Sequence, residues 1–152
     1  EPFVLIADES RHEALVRMLM RIGLDNIYGY VPDVSVWTDL GNSLTKADVI
    51  SLKYFKNMLE TNHTQIVDLR GATEYKAGHI KGADNVFVGT LEQHLDEIDK
   101  DRDVVVHCQT GDRATIGYSV LAKHGFNNIK NYSAGMSEWV NEGNPVVTDE
   151  ES

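Results

Sequence analysis

Residues 104–113 read VVVHCQTGDR and form the most informative run of this sequence. The β-branched residues Val104 to Val106 predict a buried strand, and an amphipathic helix is predicted from Arg113 to Lys123. Cys108 therefore falls where the carboxyl end of a strand meets the N-terminus of a helix. Active sites of open α/β sheets lie at this position.

The loop that follows Cys108 has the features of an anion-binding cradle. Gly111 permits backbone conformations that a side chain would block. Successive loop N–H groups and the positive end of the helix dipole favour a thiolate or an anionic adduct of it. Arg113 supplies a cation at the rim, able to reach an anion bound at the sulfur. A lone cysteine is more often a buried apolar residue, but this context favours a nucleophile.

Around this loop, short β-branched runs alternate with amphipathic stretches. This pattern predicts an α/β fold, with helices on both faces of a central, mostly parallel sheet. The acidic stretch from Leu91 to Ile98 is predicted to form an amphipathic helix, and residues 32–46 are predicted to form a loop. The other predicted strands include Phe3–Ala7, Asn26–Tyr30, Gln65–Leu69, Asp84–Val88 and Asn128–Tyr132, and the other predicted helices include Arg11–Ile22, Tyr54–Leu59 and Met136–Asn141.

The beginning of the chain resembles a weakened copy of its later part. Both segments have the order strand, helix, glycine, strand, but the first has no cysteine in the loop after its strand. We therefore expect an inactive half-domain at residues 1–45, an active domain at 46–148 and an acidic tail at 149–152. The corresponding residues are Gly23 and Gly125, Tyr30 and Tyr132, and Trp37 and Trp139.

Composition argues against several classes of function. The 24 acidic and 14 basic residues give a formal net charge of −10, which disfavours nucleic-acid binding. No apolar run approaches the roughly 20 residues of a membrane span, and the chain opens with no leader sequence, so we expect a soluble, cytoplasmic protein. The six histidines form no metal-binding pair, and nucleotide-binding motifs are absent, so we expect neither metal nor cofactor.

Several separate motifs resemble those of the rhodanese sulfurtransferase family. The loop from Cys108 to Arg113 resembles the six-residue active-site loop of that family. The first part of the chain is similar to the degenerate region between a metallo-β-lactamase-fold persulfide dioxygenase and its C-terminal rhodanese domain. The other matching segments are Val67–Arg70 with Glu74 and Tyr75, Gly78–Ala83, and Ala134–Trp139.

The resemblance implies a sulfurtransferase with a rhodanese-like domain, in which Cys108 carries sulfur as a persulfide between a donor and an acceptor. The donor would be a low-molecular-weight persulfide or thiosulfate, and the acceptor a thiol or sulfite. Cys108 and Arg113 would then be catalytic, and Asp68 with Arg70 would support the loop. The substrate-binding residues would be Gln109, Thr110, Gly111 and Asp112.

Partners and alternative functions follow from the same residues. A fused dioxygenase domain absent from this chain and a homo-oligomer are the expected protein partners. A non-catalytic binding or scaffold module of rhodanese shape is one alternative function. A cysteine phosphatase is a weaker one, because four residues separate Cys108 from Arg113, one fewer than in the phosphatase signature. The neutral Gln109 and the acidic Asp112 lead us to expect a preference for a thiol persulfide over the dianion thiosulfate.

Overall fold

The structure is a computed structural model that describes residues 1–61 and 63–148. The acidic tail predicted at residues 149–152 lies outside the described residues. The chain divides into two compact units, the first from Glu1 to Lys46 and the second from Ala47 onwards. Among the described residues, no helix has both the length and the apolar character that crossing a membrane requires.

The first unit contains two parallel strands and two helices. Strand β1 spans Phe3–Ile6, helix α1 spans His12–Arg21, β2 spans Ile27–Val31 and α2 spans Ser35–Asp39. Helix α2 lies inside the stretch predicted as a loop, so that prediction was wrong there. The Asp33 carboxylate accepts the Ser35 N–H at 2.6 Å, which starts the helical turn.

The second unit contains a four-stranded sheet with helices on both of its faces. The sheet order is β4-β3-β5-β6, and every strand pair is parallel, as predicted for the fold class. The elements are α3 (Leu52–Leu59), β3 (Thr64–Asp68), α4 (Ala72–Ala77), β4 (Ala83–Asn85), β5 (Asp103–His107), α5 (Asp112–Lys123), β6 (Ile129–Tyr132) and α6 (Gly135–Asn141).

The acidic stretch after β4 does not form the amphipathic helix that was predicted. Two short 3₁₀ turns replace it, at Val88–Gln93 and Leu95–Glu97. The Gln65 side chain explains where the second turn stops. Its amide donates to the Glu97 carbonyl at 2.9 Å, and its oxygen accepts the Asp99 N–H at 2.8 Å. These bonds satisfy backbone groups that a continuing helix would pair.

The central strands are buried on both faces, which is why they read as apolar runs without alternation. One face packs Val67 and Val106 against Leu121 of α5. The other face packs Phe55 of α3 against Tyr132 and Trp139, with ring centroids 4.7 and 5.8 Å apart. These two cores hold the strands in register, so that Asp68 lies opposite His107 at the carboxyl edge of the sheet.

Candidate active site

Cys108 follows directly after β5 and is buried, with 1% of its surface exposed. The Gly111 N–H donates a hydrogen bond to its Sγ at 3.1 Å. Gly111 has φ +105°, and a Cβ there would lie 2.5 Å from the Ser133 carbonyl oxygen. Only glycine therefore allows residues 108–113, the Cys108 loop, to fold back over the sulfur.

Helix α5 begins at Asp112, directly after the bond to sulfur, so the positive end of its dipole faces the Cys108 loop. Thr115 anchors this turn. Its backbone N–H and its hydroxyl both donate to the Gly111 carbonyl, at 2.9 and 3.0 Å. The buried Asn131 side chain on β6 donates in turn to the Thr115 hydroxyl at 3.1 Å. The sheet thus fixes the start of the helix.

The N-terminus of α6 holds the other side of the Cys108 loop. Met136 N–H donates to the Cys108 carbonyl at 2.9 Å, and Ser137 N–H donates to the Gln109 carbonyl at 3.1 Å. A Cβ on Gly135 would lie 2.3 Å from the Cys108 carbonyl oxygen. These carbonyl oxygens are therefore bound to α6, while the Gly111 N–H is bound to the sulfur.

Arg113 lies on the first turn of α5 and is paired with a carboxylate. Its two terminal nitrogens donate to the two Glu74 oxygens at 2.6 and 2.8 Å. The Arg113 hydrogen bond holds the pKa of Glu74 at about 2, and the Gly71 N–H contributes to that lowering. The pKa of Arg113 is raised, first by Glu74 and to a smaller extent by the nearby Cys108.

Glu74 was not among the predicted site residues, although it lies in one of the motifs quoted above. The sequence shows no helical spacing between it and Arg113, because the pair joins different elements, α4 and α5. Arg113 was expected to offer a cation to an anion at the sulfur. In the structure that cation is already neutralised by Glu74.

Asp68 and Arg70 form a buried ion pair, with Arg70 Nη2 2.6 Å from Asp68 Oδ2. Arg70 Nη2 also donates to the Gly78 carbonyl at 2.8 Å, and Nη1 lies 3.5 Å from Gln109 Oε1. The Gln109 amide donates to the Ser137 hydroxyl at 3.1 Å. The pair thus contacts the Cys108 loop through Gln109.

The remaining predicted site residues are distributed around the same loop. Thr110 and Asp112 have exposed side chains, so they face solvent at its outer side. His107 is fully buried behind the cysteine, and its Nε2 lies 3.9 Å from Asp68 Oδ2. Burial lowers the pKa of His107, which keeps its ring neutral at neutral pH.

Within the described part of the chain, no three His, Cys, Asp or Glu side chains lie together as a metal ion would require. The one cysteine of the chain is in the Cys108 loop. The chemistry available at this site is therefore that of a sulfur atom bound by the Gly111 N–H at a helix N-terminus, in a loop flanked by two arginines that are paired with carboxylates.

A family model described as Rhodanese-like domain matches residues 51–142. The chain belongs to this family. The matched residues contain Cys108 and every side chain named as its neighbour above. The parallel α/β architecture of the second unit is the fold shared with rhodanese-like structures.

Proteins similar in sequence to this chain include sulfurtransferases. The chain is 31% identical over 90 residues to thiosulfate sulfurtransferase GlpE of Shewanella oneidensis, covering 59% of this chain and 89% of the relative. It is 29% identical over 91 residues to a putative sulfur carrier protein, YrkF, of Bacillus subtilis, where the match covers 59% of this chain but spans only 49% of the relative.

A solved structure of a sulfurtransferase is also similar to this chain. The human single-domain sulfurtransferase TSTD1 aligns with a TM-score of 0.57 and 27% identity, over 64% of this chain and 98% of that one. These relatives support a function of the sulfurtransferase type.

Proposed function

We propose that this protein is a sulfurtransferase that carries a sulfane sulfur on Cys108 as a persulfide. One observation supports this most directly: the buried Cys108 Sγ accepts the Gly111 N–H at the N-terminus of α5. Such a cradle stabilises negative charge on a sulfur atom, that of the Cys108 thiolate and that of the persulfide once its terminal sulfur has lost its proton.

The reaction has two displacement steps and requires no oxidant. The Cys108 thiolate attacks the outer sulfur of a donor R–S–SH, the donor S–S bond breaks, and R–S⁻ leaves with the bonding electron pair. Cys108 then carries –S–SH. An acceptor thiolate attacks that outer sulfur, a new S–S bond forms on the acceptor, and the Cys108 thiolate is regenerated. Because both leaving groups are thiolates, the steps need no imidazole base.

The neighbouring residues hold the cradle in shape for this chemistry. Arg113, paired with Glu74, lies near the sulfur, and Asp68 with Arg70 braces the Cys108 loop through Gln109. Thr110 and Asp112, which are exposed, would contact the part of the donor outside the cradle. Donors of this class are low-molecular-weight persulfides or thiosulfate, and the acceptors are thiols or sulfite.

The alternative functions receive less support. In a phosphatase, the Cys108 loop would have to surround a tetrahedral oxyanion. This loop has one residue fewer between Cys108 and Arg113 than the phosphatase signature, and its Gly111 N–H donates to the sulfur itself. A scaffold role suits the first unit better than the second. The loop after β1 has no cysteine and carries Asp8 and Glu9 in its place.

We also propose that the first unit is a degenerate rhodanese-like half-domain. The order β1-α1-β2-α2 with parallel strands is the order of β5-α5-β6-α6, and Trp37 on α2 corresponds to Trp139 on α6. Trp37 lines an open apolar cavity of about 530 Å³, whereas Trp139 is covered by Phe55. A fused dioxygenase domain, a homo-oligomer and a cytoplasmic location stay predictions from the sequence.

Intact-mass measurement tests the proposed function. The full chain incubated with cysteine persulfide should gain one sulfur atom and lose it again when a thiol acceptor is added. Cys108→Ser should gain none, because a serine alkoxide is not accessible near neutral pH, while its unfolding free energy stays close to that of the unaltered chain. Sulfur transfer retained by Cys108→Ser would contradict the assignment.

A further inference from the structure

Both arginines at the Cys108 loop are already paired with carboxylates. Arg70 is bound to the buried Asp68, and Arg113 is bound through two hydrogen bonds to Glu74. Asp112 adds another carboxylate on the first turn of α5. Backbone N–H groups, rather than a net positive charge, are therefore what the loop offers to an incoming anion.

The two classes of sulfur donor place different charges on this loop. Thiosulfate reacting with the Cys108 thiolate brings three negative charges together, and the products sulfite and Cys108–S–S⁻ carry the same total. A protonated thiol persulfide reacting with the thiolate involves one negative charge, which ends on the leaving thiolate. Only the first reaction needs an unneutralised cation nearby, because backbone dipoles compensate a single charge far better than three.

We propose that Glu74 is the specificity-determining residue of this site. By neutralising Arg113 it disfavours doubly charged donors, and it makes thiol persulfides the preferred sulfur source. This inference rests on the proposed sulfur transfer at Cys108 and adds the class of donor to it. Glu74 acts through Arg113, so its role is to set the charge that the donor meets.

The setting of the ion pair supports this role. Glu74 and Arg113 have 41% and 30% of their side-chain surfaces exposed, and pairs so exposed contribute little to folding stability. The carboxylate is nevertheless held on both sides, by Arg113 and by the Gly71 N–H at 3.2 Å. The position of the Glu74 carboxylate is therefore fixed, although its ion pair with Arg113 contributes little to folding stability. Gln109, the residue after the cysteine, is neutral and adds no cation.

The test compares thiosulfate with cysteine persulfide, whose amino acid body is zwitterionic, in the full chain and in two variants. Glu74→Gln removes the charge at the loop. Glu92→Gln changes the net charge of the protein equally, but Glu92 pairs with Lys123 and His124 at the opposite end of α5. Helix α5 has 12 residues, so the Glu92 carboxylate lies roughly 15 Å further from the Cys108 loop than the Glu74 carboxylate does.

We expect Glu74→Gln to raise kcat/KM for thiosulfate about five- to twenty-fold, as Coulomb's law gives for one unit charge removed beside a dianion. Most of this change should be in KM. In Glu74→Gln, kcat/KM for cysteine persulfide should change less than about two-fold. Glu92→Gln should leave the ratio of the kcat/KM values for the two donors unaltered. Glu74→Asp, which restores the carboxylate, should restore the discrimination.

A measurement on the unaltered chain makes the test independent of any variant. If the loop repels dianions, raising the ionic strength should increase kcat/KM for thiosulfate, because salt screens the repulsion. This increase should be weaker in Glu74→Gln. A decrease with salt, or an equal change for both donors in Glu74→Gln, would overturn the role of Glu74 while leaving sulfur transfer intact. Failure of Cys108 to gain sulfur from either donor would overturn both proposals.

Discussion

Substituting alanine for Gly135 tests whether α6 holds the Cys108 loop in its reactive shape. Gly135 has φ +59°, and an added Cβ would lie 2.3 Å from the Cys108 carbonyl oxygen and 2.9 Å from that of Gln109. Both oxygens belong to the backbone, so no side-chain rotation relieves the contact. The N-terminus of α6 must therefore move away from the loop.

The loss of folding stability caused by this substitution has two physical parts. The left-handed conformation disfavours any residue with a Cβ by about 1–2 kcal/mol. Displacing α6 breaks the two hydrogen bonds from Met136 and Ser137, each of which contributes about 1 kcal/mol. We therefore expect urea unfolding to show a loss of about 3–4 kcal/mol. Because the loop carbonyls are released, persulfide formation on Cys108 should slow at least about ten-fold.

Gly143→Ala is the matched control, since Gly143 follows the same helix with φ +69° and has nothing within 4 Å of an added Cβ. It carries the conformational cost alone, about 1–2 kcal/mol, and should leave the rate of sulfur transfer unaltered. If the two variants differ by less than about 0.5 kcal/mol and react equally fast, α6 does not position the loop.

Arg113→Ala should slow sulfur transfer about ten- to a hundred-fold, equivalent to about 1.5–3 kcal/mol, because it leaves Glu74 unpaired beside the sulfur; an unchanged rate in stopped-flow assays would show that Arg113 only begins α5. Stability should depend weakly on pH through Glu74, whose folded pKa of about 2 lies below the ordinary 4.5, because solvent screening keeps the contribution of this exposed pair small. The stabilisation is then complete above pH 4.5 and is lost as the pH falls towards 2, so the difference in unfolding free energy between the unaltered chain and Glu74→Gln should vanish over that interval. Removal of residues 1–46 should leave sulfur transfer measurable, since the second unit contains its own sheet and the whole Cys108 loop; complete loss of activity in a folded 47–152 fragment would contradict the boundary.

The elements around Cys108 could be predicted because local and global signals agree there. The valines of β5 are buried on both faces of the sheet, and Gly111 marks the tight turn before α5. The position of Cys108 at the carboxyl edge follows from that order alone. Asp68 and Arg70 form an ion pair, and Arg70 contacts Gln109, while the expected support of the Cys108 loop by these two residues stays a prediction.

Other features depend on contacts that one sequence does not reveal. Helix α2 starts at a hydrogen bond from the Ser35 N–H to the Asp33 carboxylate. In the sequence, Asp33 is indistinguishable from an ordinary loop residue. The stretch from Leu91 to Ile98 has a helical apolar pattern, but the Gln65 side chain ends its last turn. The pair of Glu74 and Arg113 joins two helices, and neither residue predicts the other.

The binding of the Cys108 and Gln109 carbonyls by α6 makes the cradle a property of the main chain. The exposed side chain of Thr110 is then free to vary without dismantling it. In the proposed reaction, exchanging this residue would change what contacts the part of the donor outside the cradle, while the atoms around Cys108 Sγ stay in place.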